Sequence, residues 1–139
     1  MKKRFLVFTV LAILFAGCSS SDSDGGLAIT EANVLGKWVL KGIKLNSEPI
    51  DLYEHSCTTK KDFNEIFSNH HIVFTGYGTD CEVNDGEDNE WYLEGSVFTI
   101  DYGGLPDAEV YQIVKLTNNE MQMKQVSGSD TYIYYLNKI

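Results

Sequence analysis

From residue 35 to residue 139 the chain is a train of short runs rich in Val, Ile, Tyr, Phe and Thr, broken by clusters of Gly, Asn, Asp and Ser. Such side chains fit a pleated, half-buried surface. Runs this short, joined by turn signals, admit little besides an antiparallel sandwich or an up-and-down barrel. They begin at Gly36, near Phe67, and at 72–75, 91–93, 97–102, 108–116, 121–125 and 131–136. Turn residues fall between them, as in Asn46-Ser47-Glu48-Pro49, Glu94-Gly95-Ser96, Gly103-Gly104-Leu105-Pro106-Asp107 and Ser127-Gly128-Ser129-Asp130. The expected fold is therefore all-β, with about eight strands.

Within the first run, Trp38 and Leu40 alternate with Lys37, Val39 and Lys41, the period of a half-buried strand. The alternation slips after Leu40. Ile43 and Leu45 join the inward face only if one residue is skipped, and Gly42 is where a β-bulge absorbs it. The stretch 57–67 is ambiguous. Phe63, Ile66 and Phe67 suit one helical face, with Thr59-x-x-Asp62 as a capping box, whereas a strand sets Phe63 and Phe67 beside Glu65. The expectation is an irregular or short helical start running into a strand near Phe67.

The N-terminus is of another kind. Lys2, Lys3 and Arg4 precede an apolar run at 5–15, interrupted only by Thr9. A helix crossing a bilayer needs about 20 such residues, so this run reads as the h-region of a signal peptide, 1–17. It ends in Phe15-Ala16-Gly17-Cys18, which resembles a bacterial lipobox and implies lipidation of Cys18; in a plain secretory signal Cys18 is incidental. A flexible, acidic Ser/Asp/Gly tether follows, expected over 18–34 and leading to a domain at 35–139. Acidic residues behind the lipidated cysteine also resemble an export signal to the outer cell surface; a mere spacer reads the same way. The implied location is the cell envelope, as an outer-membrane lipoprotein.

Charge narrows the partners. The chain carries 11 basic and 20 acidic residues, a net −9, and loss of Lys2, Lys3 and Arg4 takes this to −12. Such an excess repels nucleic acid and anionic membrane surfaces, so the membrane is met only through the N-terminal lipid. With Cys18 spent on lipid, Cys57 and Cys81 remain, and an even remainder in an exported chain suggests one disulfide. Closing a loop of about 25 residues is worth roughly 3–4 kcal/mol by chain entropy. The alternative is two reduced thiols.

Catalytic chemistry finds no candidate. No serine sits in a nucleophile-elbow context, and no catalytic residue, metal site or cofactor is expected. His70 and His71 are adjacent and His55 stands apart, so all three read as solvated turn residues. Residues 80–90 hold six acids and no base, oxygen enough for calcium, but Asp85 stands where an EF-hand loop needs glycine. The segment reads instead as an acidic, solvated hairpin loop. The aromatics Trp38, Trp91, Phe67, Phe74, Phe98, Tyr132 and Tyr134 are either packed core or the lining of a ligand site.

Taken in order, these features resemble the small lipocalin-like domains of Bacteroidota lipoproteins. The opening Gly36-x-Trp38, the hairpin Trp91-x-Leu93-x-Gly95 with Phe98-x-Ile100, the pair Met121-x-Met123 and the closing Tyr134-Tyr135-Leu136-x-Lys138-Ile139 carry the resemblance. It implies an eight-stranded barrel whose closed end is plugged by Trp38, with Lys138 covering the ring. It also implies a small hydrophobic ligand in the barrel mouth, at residues the sequence does not name. Two departures, no C-terminal helix after the last strand and an added loop after Cys57, imply a shallow cavity. The other reading is an envelope interaction module with a filled barrel and an unidentified protein partner.

Overall fold

A computed structural model of the chain describes residues 26–103 and 108–139. The signal peptide, Cys18 and the tether as far as residue 25 lie outside the described residues, as do positions 104–107 of an expected turn. The described chain forms a short helix α1 (Glu31–Val34) and then β1 (Gly36–Leu45), β2 (Asp51–Leu52), β3 (Phe63–Ile66), β4 (His71–Tyr77) and β5 (Val83–Glu94). After these come β6 (Val97–Asp101), β7 (Glu109–Leu116), β8 (Glu120–Ser127) and β9 (Asp130–Lys138).

All neighbouring strands pair antiparallel, and β9 returns to pair with β1, closing an eight-stranded barrel from β1 and β3 to β9. The two-residue β2 lies outside this ring, against the second half of β1, where β3 no longer reaches. The bulge expected in β1 is present. Leu40 pairs with Leu136 and Ile43 with Tyr134, so the skipped residue lets both β1 side chains face inward. Gly42 has a second reason to be glycine: a Cβ there would run into the Asp51 carbonyl of β2.

Trp38 forms the floor. It is fully buried, its indole N–H donates to the Val34 carbonyl at 2.8 Å, and the Lys138 ammonium lies 5.0 Å from its ring centroid. Gly36 makes that cover fit. It sits at φ +116°, and a Cβ on it would come within 2.9 Å of the Lys138 stem. The motif Gly36-x-Trp38 is thus a steric arrangement: the glycine clears the path by which a cation reaches across the indole.

Three expectations need correction. The tether does not run to residue 34. Leu27 is hydrogen-bonded to Leu116, and Leu27, Ile29, Val34 and Leu35 pack on the core, because the barrel end around Trp38 is apolar and must be covered. The stretch 57–67 has the irregular start and the strand but no helical turn: the second barrel strand, β3, is Phe63–Ile66 and stops just before Phe67. Phe63 and Glu65 do share the outer face, and Lys37 reconciles them: its ammonium lies 4.7 Å over the Phe63 ring and 3.6 Å from Glu65. Finally, residues 83–90 are strand rather than loop. Paired with β4 from His71 to Tyr77, they carry the hairpin beyond the end of β6, and their acids divide between the two faces, Asp85 and Glu87 on one and Asp88 and Glu90 on the other, so their repulsion is spread through solvent.

Candidate functional site

Alternate residues of the barrel strands point inward, and above Trp38 they do not fill the space. A cavity of about 190 Å³ remains. Its lower wall is Trp38, Ile66, Ile72, Phe98, Met121 and Leu136; its upper wall is Leu40, Asn64, Ile100, Tyr102, Tyr111, Met123 and Tyr134. The upper residues lie toward the ends of β1, β6, β7 and β9 that are remote from α1, so the cavity opens there and is sealed at the tryptophan end. Trp91 backs the wall: fully buried, it stacks on Phe98 at 5.5 Å and donates its indole N–H to the Phe67 carbonyl at 3.0 Å.

The mouth is polar in one particular way. Glu109, at the start of β7, shares the inward face with Tyr111 and Ile113. The Tyr102 and Tyr111 hydroxyls both donate to Glu109 Oε2, the first at 2.7 Å. Tyr134 packs edge-on against Tyr111 at 5.4 Å and donates to Gln125 Oε1 at 2.9 Å. Burial first, then the hydrogen bond to Glu109 and its charge, push the Tyr102 and Tyr111 phenols well above the ordinary tyrosine range. Burial and the same charge push Tyr134 up as well.

These shifts predict a pH response. The folded phenols hold protons that the unfolded chain releases above pH about 10, so the unfolded state binds fewer protons there. Stability is therefore full below that pH and falls as pH rises through it. Denaturant midpoints across that range should shift down in the wild type, and less in Tyr102→Phe/Tyr111→Phe.

A second, shallow depression adjoins the mouth and shares Tyr102 with it. Its other walls are His71, Asp88, Asn89, Glu90, Asp101 and Gly103. Glu87, paired with Phe74 across β4 and β5, lies on the inward face of the overhanging hairpin and adds its charge beside Tyr102. Among the lining residues of cavity and depression there is no lysine or arginine.

The residues singled out by sequence are distributed unevenly. Trp38, Phe98 and Tyr134 line the cavity and Trp91 backs it, whereas Phe67 is 38% exposed on the outside. Cys57 and Cys81 are joined in a disulfide, with Cα atoms 4.9 Å apart, which ties the 53–62 strap to the β4–β5 turn. The histidines are not simply solvated. His71 Nδ1 lies 2.8 Å from Asp88, and the His70 ring rests against Trp91 at 5.1 Å. His55 Nδ1 lies 3.0 Å from the Asp62 backbone nitrogen and 3.3 Å from the Asp62 carboxylate. Asp62 itself is buried rather than a helix cap: it accepts the Tyr77 N–H at 2.8 Å and the Tyr53 hydroxyl at 3.1 Å, closing the strap against β4.

Sequence reading passed over Tyr102, Glu109 and Tyr111. A signal for one of them was there: Glu109 is the carboxylate on the same period-2 face as Tyr111 and Ile113. No group of acids, histidines or cysteines among the described residues is arranged to hold a metal ion.

Comparison with known proteins follows the same lines. A family model described as "Lipocalin-like domain" matches residues 34–123. The crystal structure of a lipocalin-like protein from Bacteroides uniformis ATCC 8492 is similar with a TM-score of 0.58 at 14% sequence identity. The likeness covers 77% of this chain and 99% of that one, and at this identity it speaks of fold alone. No curated protein matches the chain.

Proposed function

The chain belongs to the lipocalin-like domain family, and from that premise we propose that it is a lipid-anchored envelope protein whose barrel holds one small apolar molecule. The cavity above Trp38 carries this reading: it is enclosed on the floor and walls, mostly apolar, and has a polar mouth, the arrangement of a small-molecule site. Its 190 Å³ limits the guest. Drug-sized ligands occupy pockets of about 300 Å³ or more, whereas a cavity of about 150 Å³ admits benzene. The guest is a single ring or a short alkyl group, not a long acyl chain. Binding rather than catalysis is proposed, because the phenols at the mouth are held protonated and spend their hydrogens on fixed acceptors. Native mass spectrometry of the protein purified from its own host tests this, with a co-purifying molecule of one-ring size as the expected result.

Anchoring is the other half of the proposal and rests on Phe15-Ala16-Gly17-Cys18 behind the apolar run. An acyl chain on Cys18 would hold the domain at the outer membrane of the envelope, with the acidic segment behind it keeping the barrel clear of anionic headgroups. Cys18→Ala should move the protein from the membrane fraction to a soluble or uncleaved form. Unchanged fractionation with an unmodified N-terminal peptide would remove the anchor from this account.

The cavity's modest size favours a second reading, an interaction module whose barrel is closed to ligands. A domain that carries no small molecule in native spectra but cross-links to one envelope protein would establish it instead.

A further inference from the structure

We propose that the barrel mouth selects guests bearing a cationic amine or another hydrogen-bond-donating head, and rejects carboxylates. The inference rests on the barrel cavity being a ligand site and names the class of ligand it takes. Its ground is the direction of the hydrogen bonds. Tyr102 and Tyr111 have each donated their one O–H to Glu109 Oε2, and Tyr134 has donated its own to Gln125. A phenol has a single hydrogen to give. What these three groups still offer a guest is therefore lone pairs.

Glu109 adds to the same account. A carboxylate accepts at about four lone-pair sites, so two phenol donors leave capacity on it. Tyr102 and Tyr111, which hold Glu109, both line the cavity, so a guest's head group rising past them meets that carboxylate. Asn64 is the other polar lining residue, and its amide can serve either a donor or an acceptor.

The surrounding field has the same sign. Glu87 faces inward at the overhang, and Asp88, Glu90 and Asp101 line the adjoining depression, where His71 is already engaged by Asp88. Below the mouth the walls are aliphatic, aromatic and thioether. A guest matching both parts has a ring or short tail seated over Trp38 and an ammonium between Glu109 and the phenol oxygens. A carboxylate of the same size would meet lone pairs and negative charge, with only the Asn64 amide to donate to it, and would lose its hydration there.

The chain provides a built-in reporter. Its three methionines are Met1, Met121 and Met123, and the last two line the cavity. Their methyl resonances should respond to benzylamine, benzyl alcohol and benzoate, three probes of one ring and different heads. The expected order is benzylamine tightest, benzyl alcohol weaker and benzoate weakest, the outer two differing by about tenfold or more, the range of a charge-assisted hydrogen bond. Glu109→Gln should reduce benzylamine affinity about tenfold and leave benzyl alcohol nearly unchanged. Should that variant not fold, the ranking in the wild type still decides. Equal affinities for the three probes, or benzoate binding best, would overturn the head-group inference while leaving the barrel as a ligand site. If none of the probes moves Met121 or Met123, the ligand reading itself falls, and this inference with it.

Discussion

Trp38→Ala is expected to cost about 3–5 kcal/mol, the range for emptying a buried large aromatic site. Few changes in this chain should do more harm. The indole is fully buried, forms the cavity floor, and ties α1 to the barrel through its bond to the Val34 carbonyl. Removing it joins a new void to the 190 Å³ already present and frees that carbonyl. A domain of this size has about 5–15 kcal/mol in all, so the variant should be largely unfolded at temperatures the wild type tolerates. Trp38→Phe keeps most of the volume and should lose less. Lys138→Ala removes a cation stacked on the outside of the ring, worth about 0.5–1 kcal/mol. Urea unfolding of the three variants checks the order. A Trp38→Ala protein as stable as wild type would show that the floor is not needed to close the barrel.

Loss of the Cys57–Cys81 disulfide should be nearly as severe. The cysteines are 24 residues apart in sequence, and cross-linking a loop of that length stabilises by roughly 3–4 kcal/mol through the entropy removed from the unfolded chain. The bond also holds the 53–62 strap against the β4–β5 turn, at the side where β3 no longer reaches the second half of β1 and the two-residue β2 takes its place. Cys57→Ser should lower the melting temperature by several degrees or more, and adding Cys81→Ser should cost little further, because both changes delete one interaction. Labelling of both thiols in the folded, oxidised protein would count decisively against the bond. A single variant whose melting temperature equals that of wild type would show that Asp62, through Tyr53 and Tyr77, holds the strap unaided.

The barrel was legible in the chain because its information is local. Alternation in β1, the slip at Gly42, turn clusters at hairpin spacing and the order of Gly36, Trp38, Trp91 and the closing tyrosines each act within a few residues of themselves. Antiparallel pairing of sequence neighbours needs little more, and the match of residues 34–123 to the lipocalin-like family follows the same succession. Local reading failed where a distant group decided. Phe63 and Glu65 look incompatible on one strand face until Lys37, from β1, lies across both. Residues 83–90 look like a loop because of their charge, yet β4 supplies a ladder, broken only by a bulge at Asn84, that their own composition does not announce. Residues 27–34 look like tether because the surface they cover is built only when the far end of β7 arrives.

The candidate site belongs wholly to this second kind. By itself the sequence determined an all-β domain and its period-2 faces, since these depend on side-chain size and polarity along one strand; the residues that close one end were implied by the family resemblance. The tertiary structure alone decided that a cavity remains, how large it is, and that Tyr102 and Tyr111 turn their hydrogens onto Glu109. Those properties arise where β6, β7, β8 and β9 curve together, and a volume left between side chains, or the direction of a hydroxyl, exists only once all of its neighbours are in place.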